Sequence, residues 1–349
     1  MSPGDPLSPR ERRVLEAVIQ TYVQTAEPAG SRTVSRQFGL GVSAATIRNT
    51  MSDLEEKGFI FHPHTSAGRV PTSKAYRLYV DGLLGTTSPP ASRERERLAE
   101  ALTIGNSPIE TILRRAAQSL GVLTQELGLA MGPRLSQSIL RSLDLVRVND
   151  ERLLMVLALE GGAVRTVFVE VAGSIAESAL AQVTKILNER LAGITLEEIR
   201  KSLGARLRDT LPADDARELL NIFVQEAESL FDESLGMERE QIHLGQTSVL
   251  AEQPEFAEPT QMRRLIELTE RPQALADALK QRGETSGISI TIGAEHQDAR
   301  LRDFTVITAE YHAGSLAGVI GVIGPTRMPY EKVISLVNHT SQLLSDLLD

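Results

Sequence analysis

Hydrophobic positions in the first part of the chain fall into helical periods broken by turn chemistry. Val14, Val18 and Tyr22, beside Leu15, Ile19 and Val23, make one apolar face at a 3.6-residue period. Ser8-Pro9-Arg10-Glu11 is a capping box with proline in the first turn, so a helix is expected to open there. Ser31 is expected to cap a short helix ending near Phe38-Gly39. Ser43 is expected to cap a third, with Ile47, Met51 and Leu54 facing inward and Gly58 ending it. Phe59–His62 and Arg69–Val70 flank Thr65-Ser66-Ala67-Gly68, the pattern of a hairpin with glycine in its turn. After Pro71, the residues Tyr76, Tyr79, Val80 and Leu83 predict a fourth helix. The stretch Gly85-Thr86-Thr87-Ser88-Pro89-Pro90-Ala91-Ser92 then breaks the pattern as a small, polar linker.

Beyond the linker, Ser107-Pro108-Ile109-Glu110 is a second capping box, predicting a helix to about Gly128. Alternating positions predict a β-meander over Leu143–Val148, Leu153–Leu159 and Val164–Val171, with turns at Asn149-Asp150 and Gly161-Gly162. From about Ser174 to Phe231 the period is helical. Thr195-Leu196-Glu197-Glu198 caps one helix there, and Leu219, Leu220, Phe223, Val224, Ala227 and Leu230 line another. Strand patterns resume at Ile242–Leu244 and Val249–Leu250. After two short helices they return at Ile288–Ile292, Phe304–Tyr311 and Leu316–Ile323, before a last helix over Tyr330–Leu348. Strands interrupted by a helical block and then resumed imply an α+β domain carrying an insertion.

The 349 residues suffice for two or three domains, and 41% hydrophobic with 24% charged residues is ordinary for a globular chain. No apolar run is long enough for a membrane span, and no secretory apolar segment follows Met1. Cysteine is absent, which excludes disulfides, thiolate metal sites and thiol nucleophiles and fits a reducing compartment; the expected location is cytoplasmic. The net charge of −9 argues against a nucleic-acid partner until it is divided. Residues 1–88 hold 10 Lys/Arg against 8 Asp/Glu, a net of +2, and the remainder nets −11. A mildly basic end ahead of an acidic body suits docking on a duplex by a few placed cations.

A major groove accepts one α-helix, which must turn short polar side chains outward while an apolar stripe anchors it. The helix predicted from Ser43 meets that need. Opposite its inner stripe it offers Ser43, Ala45, Thr46, Arg48, Asn49 and Ser52. Arg48 has the fork to bridge two guanine acceptors, and Asn49 has the amide to pair with adenine. Arg32, Arg36 and Lys74 are expected phosphate contacts, and Arg69, with His64 and Ser66, is expected on the hairpin where a minor groove or phosphate is in reach. Three helices followed by a glycine-turned hairpin predict a winged helix-turn-helix. On spacing alone, a solvated amphipathic helix remains the competing reading.

Residues Leu7–Leu84 resemble the amino-terminal domain of the heat-inducible transcription repressor family (HrcA). The run Ser43-Ala44-Ala45-Thr46-Ile47-Arg48-Asn49-Thr50-Met51-Ser52-Asp53-Leu54-Glu55-Glu56-Lys57-Gly58 resembles its recognition helix, and His64 to Thr72 its wing. Tyr76-Arg77-Leu78-Tyr79-Val80-Asp81 resembles the helix that follows. Gly318-Val319-Ile320-Gly321-Val322-Ile323-Gly324-Pro325-Thr326-Arg327-Met328-Pro329-Tyr330 is similar to the family's carboxy-terminal signature. The resemblance implies a winged helix, a GAF-like fold and a dimerising segment inserted into it. It also implies a dimer on an inverted-repeat operator ahead of chaperone operons, held active by the chaperonin GroEL and relieved by heat. A two-fold dimer on a palindrome follows separately, since one recognition helix reads too few base pairs for specificity. The expected division is 1–88 for DNA binding, 89–172 with 246–349 for the GAF-like domain, and 173–245 for the inserted, mainly helical dimerisation segment.

Other constellations are weaker. His62 and His64 lack a third ligand nearby and read as ordinary hairpin residues. Gly318, Gly321 and Gly324 lie inside a Val/Ile strand pattern without the lysine of a phosphate loop, so close backbone packing is the better reading. No nucleophile elbow or metalloprotease spacing occurs, so no enzyme activity and no cofactor are expected. Two alternatives stand beside the repressor of chaperone operons: a repressor whose GAF-like domain answers to a metabolite, and an interaction module whose winged helix binds protein.

Overall fold

The computed structural model describes residues 7–64, 68–102, 109–133, 138–160, 164–171, 173, 175–208, 214–225, 242–270, 275–276, 279, 287–314 and 316–348. It mixes helices with antiparallel sheet, as an α+β chain should, and divides into two compact units. The first comprises Met1–Ala130, His243–Glu310 and Ile320–Leu343. The second comprises Met131–Ile242, Tyr311–Val319 and Leu344–Asp349.

The first unit opens with helices α1 (Pro9–Thr25), α2 (Ser31–Phe38) and α3 (Ala44–Glu56). The Ser8–Glu11 capping box forms in full, and Ala26 takes a left-handed conformation to end α1. Ser31 does not cap α2. Gly30 holds that position without a side-chain bond, and Ser31 is the first helical residue. Strands β1 (Ile60–Phe61) and β2 (Val70–Pro71) pair antiparallel with Ile60 opposite Pro71. Helix α4 (Ser73–Leu83) follows, capped by the Thr72 hydroxyl. After the linker comes α5 (Ser92–Leu102), an Arg/Glu-rich helix whose buried face is only Leu98 and Leu102, one turn apart.

Helix α6 (Ile109–Thr124) stops earlier than the sequence implies, and the second capping box lies partly outside the described residues. Gln125 turns the chain at φ 62°, and Leu127–Met131 forms strand β3, all five residues buried. A strand covered on both faces loses its alternation and cannot be told from helix by period. Gly128 lets β3 lie on α6, since a Cβ there would stand 1.8 Å from the Ala117 carbonyl oxygen.

The second unit holds strands β4 (Leu140–Asn149), β5 (Arg152–Leu159) and β6 (Val164–Glu170), an antiparallel meander in a sheet of its own. Helices α7 (Glu177–Leu191), α8 (Leu196–Leu207) and α9 (Asp214–Gln225) close its inner face. Leu153, Met155 and Leu157 are buried there in one cluster with Val183, Leu187 and Phe223. Ala227 and Leu230, expected on the same helix as Phe223, lie outside the described residues. Asn188 of α7 ties β4 down, donating to the Leu143 carbonyl at 2.6 Å and accepting from its N–H at 2.8 Å. The meander thus forms a sheet of its own and shares its buried core with the helical block.

Those strands, β7 (Ile242–Leu244), β8 (Ile288–Ile292), β9 (Phe304–Ala313) and β10 (Leu316–Pro325), join β3 in the order β7-β3-β10-β9-β8. Val249–Leu250 is not a strand but lies in a helical turn, Ser248–Ala251. Two apolar residues carry no period that separates the two states. The terminal helix spans Tyr330–Leu348, as its pattern predicts. All three signature glycines are packing sites. A Cβ would meet the Tyr311 ring at 2.3 Å from Gly318, the Ile307 carbonyl at 2.2 Å from Gly321, and Glu126 Oε2 at 1.9 Å from Gly324. Among the described residues, no helix is long and apolar enough to cross a membrane.

Candidate nucleic-acid interface

Helix α3 owes its position to two features of its sequence. The Ser43 hydroxyl accepts from the Thr46 N–H at 3.1 Å, which satisfies an otherwise orphaned donor at the helix start. Ile47, Thr50, Met51 and Leu54 are buried on one face, anchored against α1 and α2. Truncating Ile47, Met51 or Leu54 to alanine would cost about 2–5 kcal/mol by cavity formation, so this face holds the helix in place. With the apolar side fixed inward, the opposite side is set outward by the helical period alone.

That outward side is what the sequence predicts. Ser43, Ala45, Arg48 and Asn49 are exposed, and Thr46 and Ser52 are half-buried. Some hydroxyls are engaged locally. The Thr46 and Ser43 hydroxyls stand 3.0 Å apart, and Ser52 donates to the Arg48 carbonyl at 3.3 Å. Among the described residues, nothing bonds the Arg48 guanidinium or the Asn49 amide, so both present open donor sets to the outside. Arg32 and Arg36 are exposed on α2, beside α3.

The hairpin cations behave differently from expectation. Arg69 is turned back: its Nη2 meets Glu55 Oε2 of α3 at 2.8 Å, and its side chain is 13% exposed. Its backbone makes two bonds with Ala29, at 2.8 and 2.9 Å, which clamp the hairpin to the chain just before α2. Lys74 is exposed, yet its ammonium donates to the Lys57 carbonyl at 2.9 Å and sits 4.4 Å from the Phe59 ring centroid. It thus serves the last turn of α3, where carbonyls lack partners and cations are favoured. His64 is exposed, while Ser66 lies outside the described residues.

His62, set aside as a metal ligand, places its Nδ1 2.8 Å from Glu55 Oε1. Glu55 therefore joins both sides of the hairpin to α3. Partial burial works against its charge, but the His62 bond and the Arg69 charge hold its carboxyl below the usual carboxylate range. Glu55 and Lys57 escape sequence reasoning because their partners are set by the tertiary fold and not by helical spacing. The one available signal was an acid four residues past Met51, on the flank of the buried stripe.

This geometry presents a rigid helix whose first two turns carry short side chains, one guanidinium and one amide, with no acid on the exposed N-terminal face. Residues 110–334 match the family described as HrcA protein C terminal domain. The chain is 40% identical over 352 residues to the heat-inducible transcription repressor HrcA of Chlorobium phaeobacteroides (strain BS1), an alignment that covers 98% of each chain. It is 38% identical to the repressor of that name from Chlorobium chlorochromatii, over 98% of this chain and 97% of the other. The one from Chlorobaculum tepidum is 39% identical, over 98% of both. Among solved structures, the crystal structure of a hypothetical protein shares the fold along 98% of both chains, with a TM-score of 0.62 and 23% identity.

Proposed function

From the premise that this chain belongs to the HrcA family of heat-inducible transcription repressors, we propose that it represses chaperone operons by binding an inverted-repeat operator. In this reading α1–α3 and the β1–β2 hairpin are a winged helix-turn-helix, and α3 enters the major groove. The observation that carries it is the exposed Arg48–Asn49 pair, left unbonded by the described residues, on a helix whose other face is buried at Ile47, Met51 and Leu54. Ser43, Ala45, Thr46 and Ser52 line the same surface. Arg32 and Arg36 supply phosphate contacts. Lys74, His64, Ser66 and Arg69 contribute from the hairpin side. Arg69 reaches a phosphate only by leaving Glu55, so its share is the smallest.

The five-stranded sheet and its helices make the GAF-like part. The block between β3 and β7, which includes the meander as well as α7–α9, is the insert that carries the homodimer contact. One outer row of its sheet supports this. Val146 opposes Leu154, Leu154 opposes Phe168, and Val146 and Phe168 are exposed, an apolar face that a second copy can cover. A dimer presents two α3 helices to two half-sites related by the same symmetry. Heat relieves repression, and the chaperonin maintains the active form, both in the cytoplasm and both on the family's pattern.

Footprinting on DNA upstream of a chaperonin operon tests this reading. Protection of a palindrome, strengthened by added chaperonin and falling with a log–log salt slope of about −0.9 per phosphate neutralised, is expected. Absence of protection at low ionic strength contradicts it.

A further inference from the structure

Two arginines from the recognised motifs, Arg77 and Arg327, take no part in the base-reading surface. Both are engaged within the first unit, between the α1–α4 module and the five-stranded sheet. Arg327 follows β10. Its Nε and Nη2 grip the Glu255 carboxylate, the second at 2.9 Å, and its Nη1 donates to the Val23 carbonyl at 2.9 Å. Val23 lies in the last turn of α1, whose carbonyls lack helical partners and which has no basic residue of its own. A residue 304 positions away thus caps that helix.

Arg77 of α4 repeats the arrangement in reverse. Its Nε donates to Glu295 at 2.7 Å, its Nη2 bonds the same carboxylate, and Nη2 also donates to the Ile290 carbonyl of β8 at 2.7 Å. Close packing surrounds both. The Tyr76 and Tyr330 rings stand 5.5 Å apart, and a Cβ on Gly293 would reach Ser73 Oγ at 2.7 Å. Each arginine therefore combines a two-pronged grip on a carboxylate with one bond to a backbone carbonyl. Such planar pairing is directional, so it fixes an angle as well as an attraction.

A dimer on an inverted repeat needs its two reading helices held one helical turn of DNA apart, or a multiple of it. A loose joint accepts several spacings, and a stiff one accepts one. We propose that Arg77 and Arg327 are positioning residues that lock the reading module on the sheet and thereby set which half-site spacing the repressor accepts. This inference rests on the DNA-binding reading above.

The test uses full-length protein, Arg77→Ala/Arg327→Ala and the double lysine variant, on duplexes whose half-site spacing is varied base pair by base pair, and on a single half-site. Wild-type protein is expected to favour one spacing by about tenfold or more, since a misplaced half-site loses its base contacts. The alanine variant is expected to bind the single half-site as wild type does, with the spacing preference flattened. Lysine keeps the charge but not the fork, so its profile is expected to flatten too, and it decides the matter if the alanine variant fails to fold. A folded variant with the wild-type spacing profile overturns the proposal. So does equal weakening at every spacing and at the half-site, or tighter binding with an unchanged profile. Wild-type protein that ignores every duplex sinks the DNA reading itself, a separate outcome.

Discussion

Lys57, the residue that closes α3, donates from its ammonium to Glu11 Oε1 in the first turn of α1 at 2.7 Å. The same carboxylate accepts from the Ser8 N–H and hydroxyl, each at 2.7 Å. One acid thus completes a helix cap and ties the end of the reading helix to its scaffold.

That double duty has a pH signature. The Lys57 bond, followed by the Ser8 bonds, lowers the Glu11 carboxyl to about 2 from the 4.5 of an unperturbed group. A depressed acid stabilises the fold fully above its unfolded value and loses that contribution as pH falls from 4.5 toward 2. Glu11→Gln keeps an acceptor for Ser8 but loses the charge, and is expected to cost about 0.5–1 kcal/mol at neutral pH through the partly exposed Lys57 pair. Thermal unfolding of both proteins across pH checks it: the gap between them should narrow below pH 4.5. A gap that stays constant is the contrary result.

Glu126 predicts the opposite sign. It is buried beside Gly324 and bonded to Gln253 Nε2 at 3.1 Å. Burial pushes its carboxyl well above the usual range, outweighing the Gln253 bond and the Arg327 charge. A raised acid favours the folded state below its unfolded value and weighs against it as pH climbs toward the folded one. Glu126→Gln should therefore match wild type near pH 4 and be the more stable at pH 8. Unfolding midpoints at the two pH values decide it, and a variant less stable at pH 8 contradicts it.

Gly68 separates collision from backbone strain. A Cβ there would stand 2.4 Å from the Pro28 carbonyl oxygen and 2.6 Å from that of Ala29, the residue that bonds Arg69. Gly68→Ala is expected to displace the hairpin, cost about 1–3 kcal/mol and weaken operator binding. Gly39 has open space but a φ of +51°, so Gly39→Ala should cost about 1–2 kcal/mol through strain alone and leave the hairpin in place. Amide exchange at Ala29 and Arg69 distinguishes the two. Unchanged protection in Gly68→Ala would refute the clamp.

Local chemistry was legible wherever a residue's role depends on near neighbours. The Ser8–Glu11 box, the Ser43 cap, the buried stripe of α3 and the terminal helix all follow from spacing. Strand β3 was hidden because burial on both faces erases its period, and α5 because it has little apolar face to read. The outward placement of Arg48 and Asn49 was legible for the same reason as the stripe. The engagement of Arg69 with Glu55 and of Lys74 with the end of α3 was not, because exposure of a cation is decided by distant partners. Arg77 and Arg327 were visible only as motif members, and their carboxylates lie 218 and 72 residues away.

The central claim is that Arg48 and Asn49 touch base edges. Affinity should be measured for wild type, Arg48→Ala and Asn49→Ala against operators substituted one base pair at a time. Each variant should lose about 1–3 kcal/mol on the intact operator and become indifferent to base identity at one position, repeated symmetrically in both half-sites. Variants that bind more weakly but keep the full wild-type base preference would contradict it.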